Sequence, residues 1–168
     1  NRSTVPIIYL AFNAAIVSSA KEKLRVRNNS DILTFHSLGY RAIREKWPFI
    51  ELDKLKMQNI VKRHISSTWS REEKNLREFD LIRLISRLKN NGGVLATPDV
   101  VNMASDMDIS LYPNMINDVI RAYNISLYDT KSIDFDDMLL FPLYYDLSFD
   151  AYDLVLIDEA QDLNGSRL

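Results

Sequence analysis

Cysteine is absent from this chain of 168 residues. Without cysteine the chain forms no disulfide and no thiolate metal site, which fits an intracellular protein of the cytoplasm or the nucleus. Long apolar runs are missing as well: no stretch approaches the roughly 20 residues of a membrane span, and no basic-then-apolar leader is present. Because 46% of the residues are hydrophobic, the chain can still bury the core of one domain, with or without a small insert.

Glycine is scarce, and the spacing of the glycines excludes one motif. The only glycines are Gly39, Gly92, Gly93 and Gly165. A loop that cradles phosphates with backbone N–H groups needs the pattern G-x-x-x-x-G-K-[ST]. No pair of these glycines has that spacing, so the printed sequence contains no such P-loop.

Charge of one sign is scarce in each half of the chain. Residues 1–97 hold 18 Lys and Arg against 9 Asp and Glu, whereas residues 98–168 hold 3 against 14. A basic half suggests a polyanionic partner, and clustered aspartates suggest a metal or a solvated face. The alternative is that the two halves simply pair with each other.

The first 46 residues alternate between strand and helix patterns. A continuous apolar run at residues 7–12 predicts a buried strand, and Asn13 is a plausible N-cap for a helix over residues 14–26. A second strand is predicted at residues 32–34 and a second helix at 35–46. This rhythm is typical of an α/β protein with a parallel sheet.

The middle of the chain changes character. Residues 47–130 have helical periodicity and no convincing strand, which predicts a helical insert. One amphipathic helix would use Leu52, Leu55, Met57, Ile60, Val61 and Ile65, and another Leu76, Phe79, Leu81, Ile82, Leu84, Ile85 and Leu88. Prolines at 98 and 113 each mark a first helical position. The α/β pattern resumes with a helix over 135–145 and a strand over 153–157.

The stretch VLIDEAQDLN places two adjacent acids at the end of this last strand. Ligands of open parallel sheets bind at the carboxyl ends of the strands. There Asp158 can hold Mg²⁺ while Glu159, which points differently, reaches an attacking water, as in the Walker B arrangement of P-loop NTPases. The simpler alternative is a strand that ends in a polar turn, with Asp158 capping a helix.

Four strings together resemble one family. VLIDEAQDLN is similar to motif II of superfamily-one DNA helicases of the UvrD/Rep type, YLAFNAAIVSSAKEKL to motif Ia, TFHSLGYRAIR to motif Ib, and IDFDDMLLFPL to the segment that re-enters the first motor domain. The resemblance implies a partial RecA-like P-loop NTPase sheet with an inserted all-helical subdomain. The motor domain would comprise residues 1–46 and 131–168, and the insert residues 47–130.

The resemblance also implies roles for individual residues. Asp158 would bind Mg²⁺, Glu159 would orient the attacking water, and Gln161 would couple the nucleotide to DNA movement. Four residues would face single-stranded DNA: Phe12, Asn13, Thr34 and His36.

As a whole, the resemblance implies an ATP- and Mg²⁺-dependent helicase that translocates on single-stranded DNA and separates duplex at junctions, as in DNA repair. The Walker A segment would precede Asn1 and the second motor domain would follow Leu168, so the chain alone is expected to be inactive as an ATPase. The first alternative is a non-catalytic nucleic-acid-binding or interaction remnant. The second is a two-metal nuclease that would join Asp134, Asp136 and Asp137 to the motif II acids, although Asp134 is also a natural helix N-cap and its neighbours suit a first turn.

Overall fold

A computed structural model describes residues 5–23, 30–93 and 97–162. Within these residues the elements follow in this order: β1 (Ile7–Ala11), α1 (Ala14–Lys23), β2 (Ser30–Thr34), α2 (Phe35–Lys46), β3 (Glu51–Leu52), α3 (Lys56–Ile60), a π-helical turn (Val61–Ile65), a 3-10 turn (Ser66–Thr68), α4 (Arg71–Asn90), α5 (Thr97–Asp106), α6 (Met115–Leu127), β4 (Ser132–Ile133), α7 (Asp137–Tyr144), β5 (Leu154–Ile157) and a 3-10 turn (Ala160–Asp162). The end of the helix predicted over 14–26 lies outside the described residues.

The main sheet is parallel, as the strand–helix rhythm predicts. Its order is β2-β1-β5, and β1 pairs in parallel with both neighbours. Side chains of β1 alternate between two covered faces. Helix α1 packs on the face of Tyr9 and Ala11, whereas Phe35 and Leu139 pack on the face of Ile8. The α/β fold class is therefore confirmed, with helices on both faces of the central strand.

Strand β5 is exposed, although a continuous apolar run of this kind would suit a buried strand. Its four residues, Leu154 to Ile157, are each 37–50% exposed. The physical reason is its position: among the described residues β5 pairs with β1 on one edge only. Apolar side chains on both faces are typical of a strand in the interior of a parallel sheet.

The segment between α2 and β4 is mainly helical, but it contains a strand that the periodicity did not predict. Glu51–Leu52 pairs in parallel with Ser132–Ile133, so Leu52 belongs to β3 and not to a helix. Leu55, Leu76 and Phe79 are also exposed, because they lie off the inward face of their elements.

A capping box starts helix α4. The Ser70 hydroxyl accepts from the Glu73 N–H, and the Glu73 carboxylate accepts from the Ser70 N–H. Pro113, by contrast, does not start a helix, since α6 begins at Met115 after Asn114 adopts a positive φ of 71°.

One large apolar core joins the helical segment to α2 and α7. It contains residues from α3 to α6 together with Ile43 of α2 and Leu140 and Phe141 of α7. Helices α2 and α7 approach so closely that a Cβ added at Gly39 would lie 1.9 Å from the Met138 carbonyl oxygen. The helical segment therefore packs directly against the elements that carry the sheet. The boundaries of an insert at residues 47 and 130 stay a prediction.

The helices that the structure describes do not include one with the length and apolarity needed to cross a membrane. Tyr128, the residue after α6, and Leu143 of α7 are 66% and 48% exposed.

Candidate functional site

The carboxyl ends of three parallel strands meet at one edge of the sheet. Ala11 lies opposite Thr34 in the register of β1 with β2, and Leu10 lies opposite Ile157 in the register of β1 with β5. The residues that follow these positions are therefore delivered to the same edge. They include five of the predicted site residues: Phe12, Asn13, Thr34, Asp158 and Glu159.

Asp158 is the first residue after β5, and it is held at the strand tip. Its backbone N–H donates to the Leu10 carbonyl at 2.9 Å, which continues the ladder beyond Ile157. The carboxylate is half-buried near the Tyr9 hydroxyl, and burial together with the charge of Asp158 raises the pKa of Tyr9. The strand does end in a polar turn at Asp158 and Glu159, whereas no contact of the described residues has the Asp158 side chain capping a helix.

Glu159 turns the chain sharply away from the sheet. Its φ of +51° lies in the left-handed region, which is uncommon for a residue with a β-carbon. The exposed Glu159 carboxylate accepts a hydrogen bond from the side-chain amide of Gln161, in the 3-10 turn that follows. The two predicted catalytic residues beyond Asp158 are thus brought together by local backbone geometry.

Phe12 and Asn13 lie between β1 and α1. The Phe12 ring is half-buried and tilted at 53° against Phe35, with ring centroids 5.5 Å apart. Asn13 caps α1, since its side-chain oxygen accepts from the Ile16 N–H at 2.9 Å. Phe12 therefore combines a packing role with partial exposure, and the cap of Asn13 does not use its side-chain N–H₂ group.

Thr34 and His36 lie where β2 runs into α2. The Thr34 hydroxyl accepts from the Ser37 N–H at 3.1 Å, so Thr34 is the N-cap of α2. His36, in the first turn, is half-buried and meets the ring of Phe135 edge to face, with centroids 6.1 Å apart. Phe135 is 47% exposed, and the Lys54 ammonium lies 5.9 Å from its ring centroid. The sequence did not single out Phe135 or Lys54.

The acidic segment before α7 forms a buried ion network. The Lys89 ammonium donates to Asp134 at 2.8 Å, to Asp137 at 2.7 Å and to the Ser126 hydroxyl at 2.8 Å. The Lys56 ammonium donates to the other Asp137 oxygen at 2.8 Å and to three backbone carbonyls. Lys56, Lys89 and Asp137 are at most 2% exposed. The two buried ammonium groups are thus balanced by Asp134 and Asp137, and the partly exposed Asp129 carboxylate lies 4.0 Å from the Lys56 ammonium.

This network decides between the interpretations of the acidic segment. Burial disfavours the charge of Lys89, but Asp137 and Asp134 outweigh it, so the pKa of Lys89 is raised. Asp134 does cap the following turn, because it accepts from the Asp137 N–H at 2.9 Å. Both oxygens of Asp137 are engaged by lysines, which opposes the nuclease hypothesis. Among the described residues, no three acidic or histidine side chains form a group that could hold a metal.

A spacing signal for the buried lysines was present in the sequence. Lys89 lies four positions after Ile85, and Lys56 four positions before Ile60, so both fall on the apolar stripes of their helices. A charge on such a stripe predicts a buried counter-charge, and the aspartates after β4 provide it. The alternative that the basic and acidic halves pair is therefore correct at this point.

The family model described as UvrD/REP helicase N-terminal domain matches residues 3–168. No curated protein matches the chain. The family match covers almost the whole sequence, and it agrees with the parallel β2-β1-β5 sheet and with acids at the tip of β5. The chain belongs to the UvrD/REP helicase N-terminal domain family.

Proposed function

We propose that this chain supplies the nucleotide-sensing and DNA-facing edge of an ATP-dependent helicase that translocates on single-stranded DNA and separates duplex. One observation carries the proposal: the carboxyl ends of β1, β2 and β5 share one edge of a single parallel sheet. Motif II acids and polar or aromatic residues that suit DNA therefore adjoin one another. The nucleotide would then lie one strand away from Phe12 and Asn13, since neighbouring strands are about 4.8 Å apart.

On the nucleotide side, Asp158 would hold Mg²⁺ and Glu159 would orient the attacking water. The donor set fits a magnesium–nucleotide complex better than a bare cation, since Mg²⁺ keeps waters and phosphate oxygens and needs only one or two carboxylates. When bound, the metal would neutralise the charge of the transferred phosphoryl group. Tyr9, whose hydroxyl lies near Asp158, would help to orient that carboxylate. Gln161, bonded to Glu159, would link the nucleotide to movement of the DNA.

On the DNA side, aromatic stacking and phosphate contacts would hold the strand without sequence preference. The partly exposed Phe12 ring would stack on a base, and the Asn13 amide would donate to a phosphate. Thr34 and His36 would contact the backbone one strand further along. Phe135, exposed beside His36, extends this aromatic surface.

The nucleotide site would be completed by residues outside the printed sequence. A P-loop would cradle the phosphates, and a second motor domain would close over the nucleotide. Residues 1–46 and 131–168 would form the motor part, and residues 47–130 the helical insert. The exposed apolar faces of β5 support completion of the sheet by further residues, because such faces suit a strand with neighbours on both sides.

DNA binding is tested in the complete protein by fluorescence anisotropy with a single-stranded oligonucleotide at several salt concentrations. We expect affinity that falls as salt rises, and a loss on Phe12→Ala of about fivefold or more, since base stacking is worth about 1–3 kcal/mol. Phe79→Ala is the matched control, because Phe79 is 67% exposed on α4 and away from the sheet edge. Equal effects of the two substitutions would remove Phe12 from the DNA-facing surface.

The second candidate function is a non-catalytic nucleic-acid-binding protein. The exposed or half-buried residues Phe12, Asn13, Thr34 and His36 would suit it as well, because single-stranded DNA binding needs only stacking and phosphate contacts. ATP hydrolysis distinguishes the two: a motor hydrolyses ATP faster when single-stranded DNA is added, whereas a binding protein retains DNA affinity without any ATP turnover.

A further inference from the structure

We infer that Lys56 and Lys89 are positioning residues: their buried ammonium groups fix the Asp134–Asp137 turn, and through it the placement of Phe135 and His36 toward single-stranded DNA. This inference rests on the proposed function. It adds a task to the helical segment, which carries both lysines. That segment would then tune how tightly the sheet edge holds DNA.

The lysines reach the turn from two different helices. Lys56 opens α3 and Lys89 lies near the end of α4, yet both ammonium groups meet at Asp137. Lys89 also holds Asp134, the residue immediately before Phe135, whereas Asp137 lies two positions after it. Because the first and last carboxylates of the turn are tied to buried cations, the backbone between them has little freedom to shift.

The turn is also closed on itself and pressed from the opposite side. The Asp134 N–H donates to the Asp137 carboxylate at 3.0 Å, and the Asp137 N–H donates back to Asp134 at 2.9 Å. Directly after it, the Met138 carbonyl oxygen lies against Gly39 of α2, where no β-carbon would fit. The turn is thus clamped between the lysines and the helix that begins with the candidate DNA contacts.

Phe135 is the one residue of this turn whose ring faces outward. Asp134 and Asp137 are at most 8% exposed, whereas Phe135 is 47% exposed and meets His36 edge to face. A ring that must stack on a base loses affinity when its mean position or its order changes. Ordering the turn in the free protein would lower the entropy cost of binding.

A purely structural network makes a different prediction from a positioning network. If the ions serve only to neutralise each other, removing one ammonium together with one carboxylate leaves Lys56 paired with Asp137 and should leave DNA affinity unchanged. If they position the turn, the double variant Lys89→Met with Asp134→Asn should fold but bind DNA more weakly. This double variant, called the neutral pair below, therefore distinguishes the two roles.

The experiment uses DNA-stimulated ATP hydrolysis by the complete protein, with folding checked by thermal melting. For Lys89→Met/Asp134→Asn we expect the single-stranded DNA concentration at half-stimulation to rise about fivefold or more, the lower end of what one stacked base contributes. We expect kcat at saturating DNA to stay within about twofold, because the motif II acids are not touched. Lys62→Met, which removes an exposed lysine of the same segment, is the control.

A coupling test then asks whether the lysine acts through the ring. Phe135→Ala alone should weaken DNA binding, and adding the neutral pair to it should cause no further loss. Losses that multiply, an unchanged half-stimulation in the neutral pair, or failure of that pair to fold would each overturn the positioning role. If DNA binding depends on Phe12 but the neutral pair binds DNA as tightly as the wild type, this inference alone is overturned. A wild-type protein without DNA binding overturns the proposed function as well.

Discussion

Removal of the Lys89 ammonium should destabilise this chain more than any surface substitution. Lys89 is fully buried, and its ammonium donates to two carboxylates and one hydroxyl at 2.7–2.8 Å. Lys89→Met keeps most of the side-chain volume, so the core is not left with a large cavity. What is lost is the counter-charge of Asp134 and half that of Asp137.

The magnitude follows from the cost of an uncompensated buried charge. Removing one partner of a buried ion pair typically costs about 3–5 kcal/mol. For a domain of this size, about 1 kcal/mol shifts the melting temperature by roughly 2–4 °C. We therefore expect Lys89→Met to lower the melting temperature by about 6–20 °C, and the free energy of unfolding by about 3–5 kcal/mol.

Urea denaturation followed by far-UV circular dichroism measures this free energy, with Lys62→Met as the surface control. Surface substitutions usually change stability by about 0.5 kcal/mol or less. The added substitution Asp134→Asn should recover at least half of the loss, because it removes the carboxylate left unpaired. A loss below about 1 kcal/mol for Lys89→Met, or no recovery with Asp134→Asn, would refute the assignment of a buried charge network.

Three further outcomes are expected. The Tyr152 hydroxyl donates to the Asp31 carboxylate and lowers the pKa of Asp31. The ionised Asp31 therefore stabilises the fold above its unfolded-state pKa of about 4, and this stabilisation is lost as the pH falls further. Asp31→Asn should accordingly make the free energy of unfolding depend less on pH in that acid range. Gly39→Ala should cost about 1–3 kcal/mol or more in urea denaturation, since its β-carbon would lie 1.9 Å from the Met138 oxygen, and a cost near zero would contradict the close approach of α2 and α7. Ser70→Ala removes one side of a capping box and should cost about 0.5–2 kcal/mol by the same assay, with an unchanged midpoint as the contrary result.

Local patterns in the sequence were sufficient to predict strand β1 and helices α1 and α2 of the α/β part of the fold. The apolar run before Phe12 became β1, Asn13 became the cap of α1, and α2 spans the residues that its periodicity indicated. Each of these features is set by neighbours in sequence, through strand alternation or a side chain that caps the next turn. The parallel order followed because helices separate the strands.

Long-range features were harder to predict. The pairing of Glu51–Leu52 with Ser132–Ile133 is set by strands far apart in sequence, and two residues are too few to give a periodic signal. Likewise, the position of Lys89 on an apolar stripe indicates burial, but it does not indicate which acids pair with it, because Asp134 and Asp137 lie far away in sequence. The exposure of β5 could not follow from its composition, because burial depends on which strands lie beside it.

The proposed ATPase site depends most on the two acids at the tip of β5, and one measurement tests them directly. ATP hydrolysis and ATP binding are measured for Glu159→Gln in the complete protein, with and without single-stranded DNA. We predict that nucleotide binding persists while DNA-stimulated turnover falls by about a hundredfold or more, because the water is no longer oriented or polarised. Turnover close to that of the wild type would contradict the assignment of this sheet edge as the site of ATP hydrolysis.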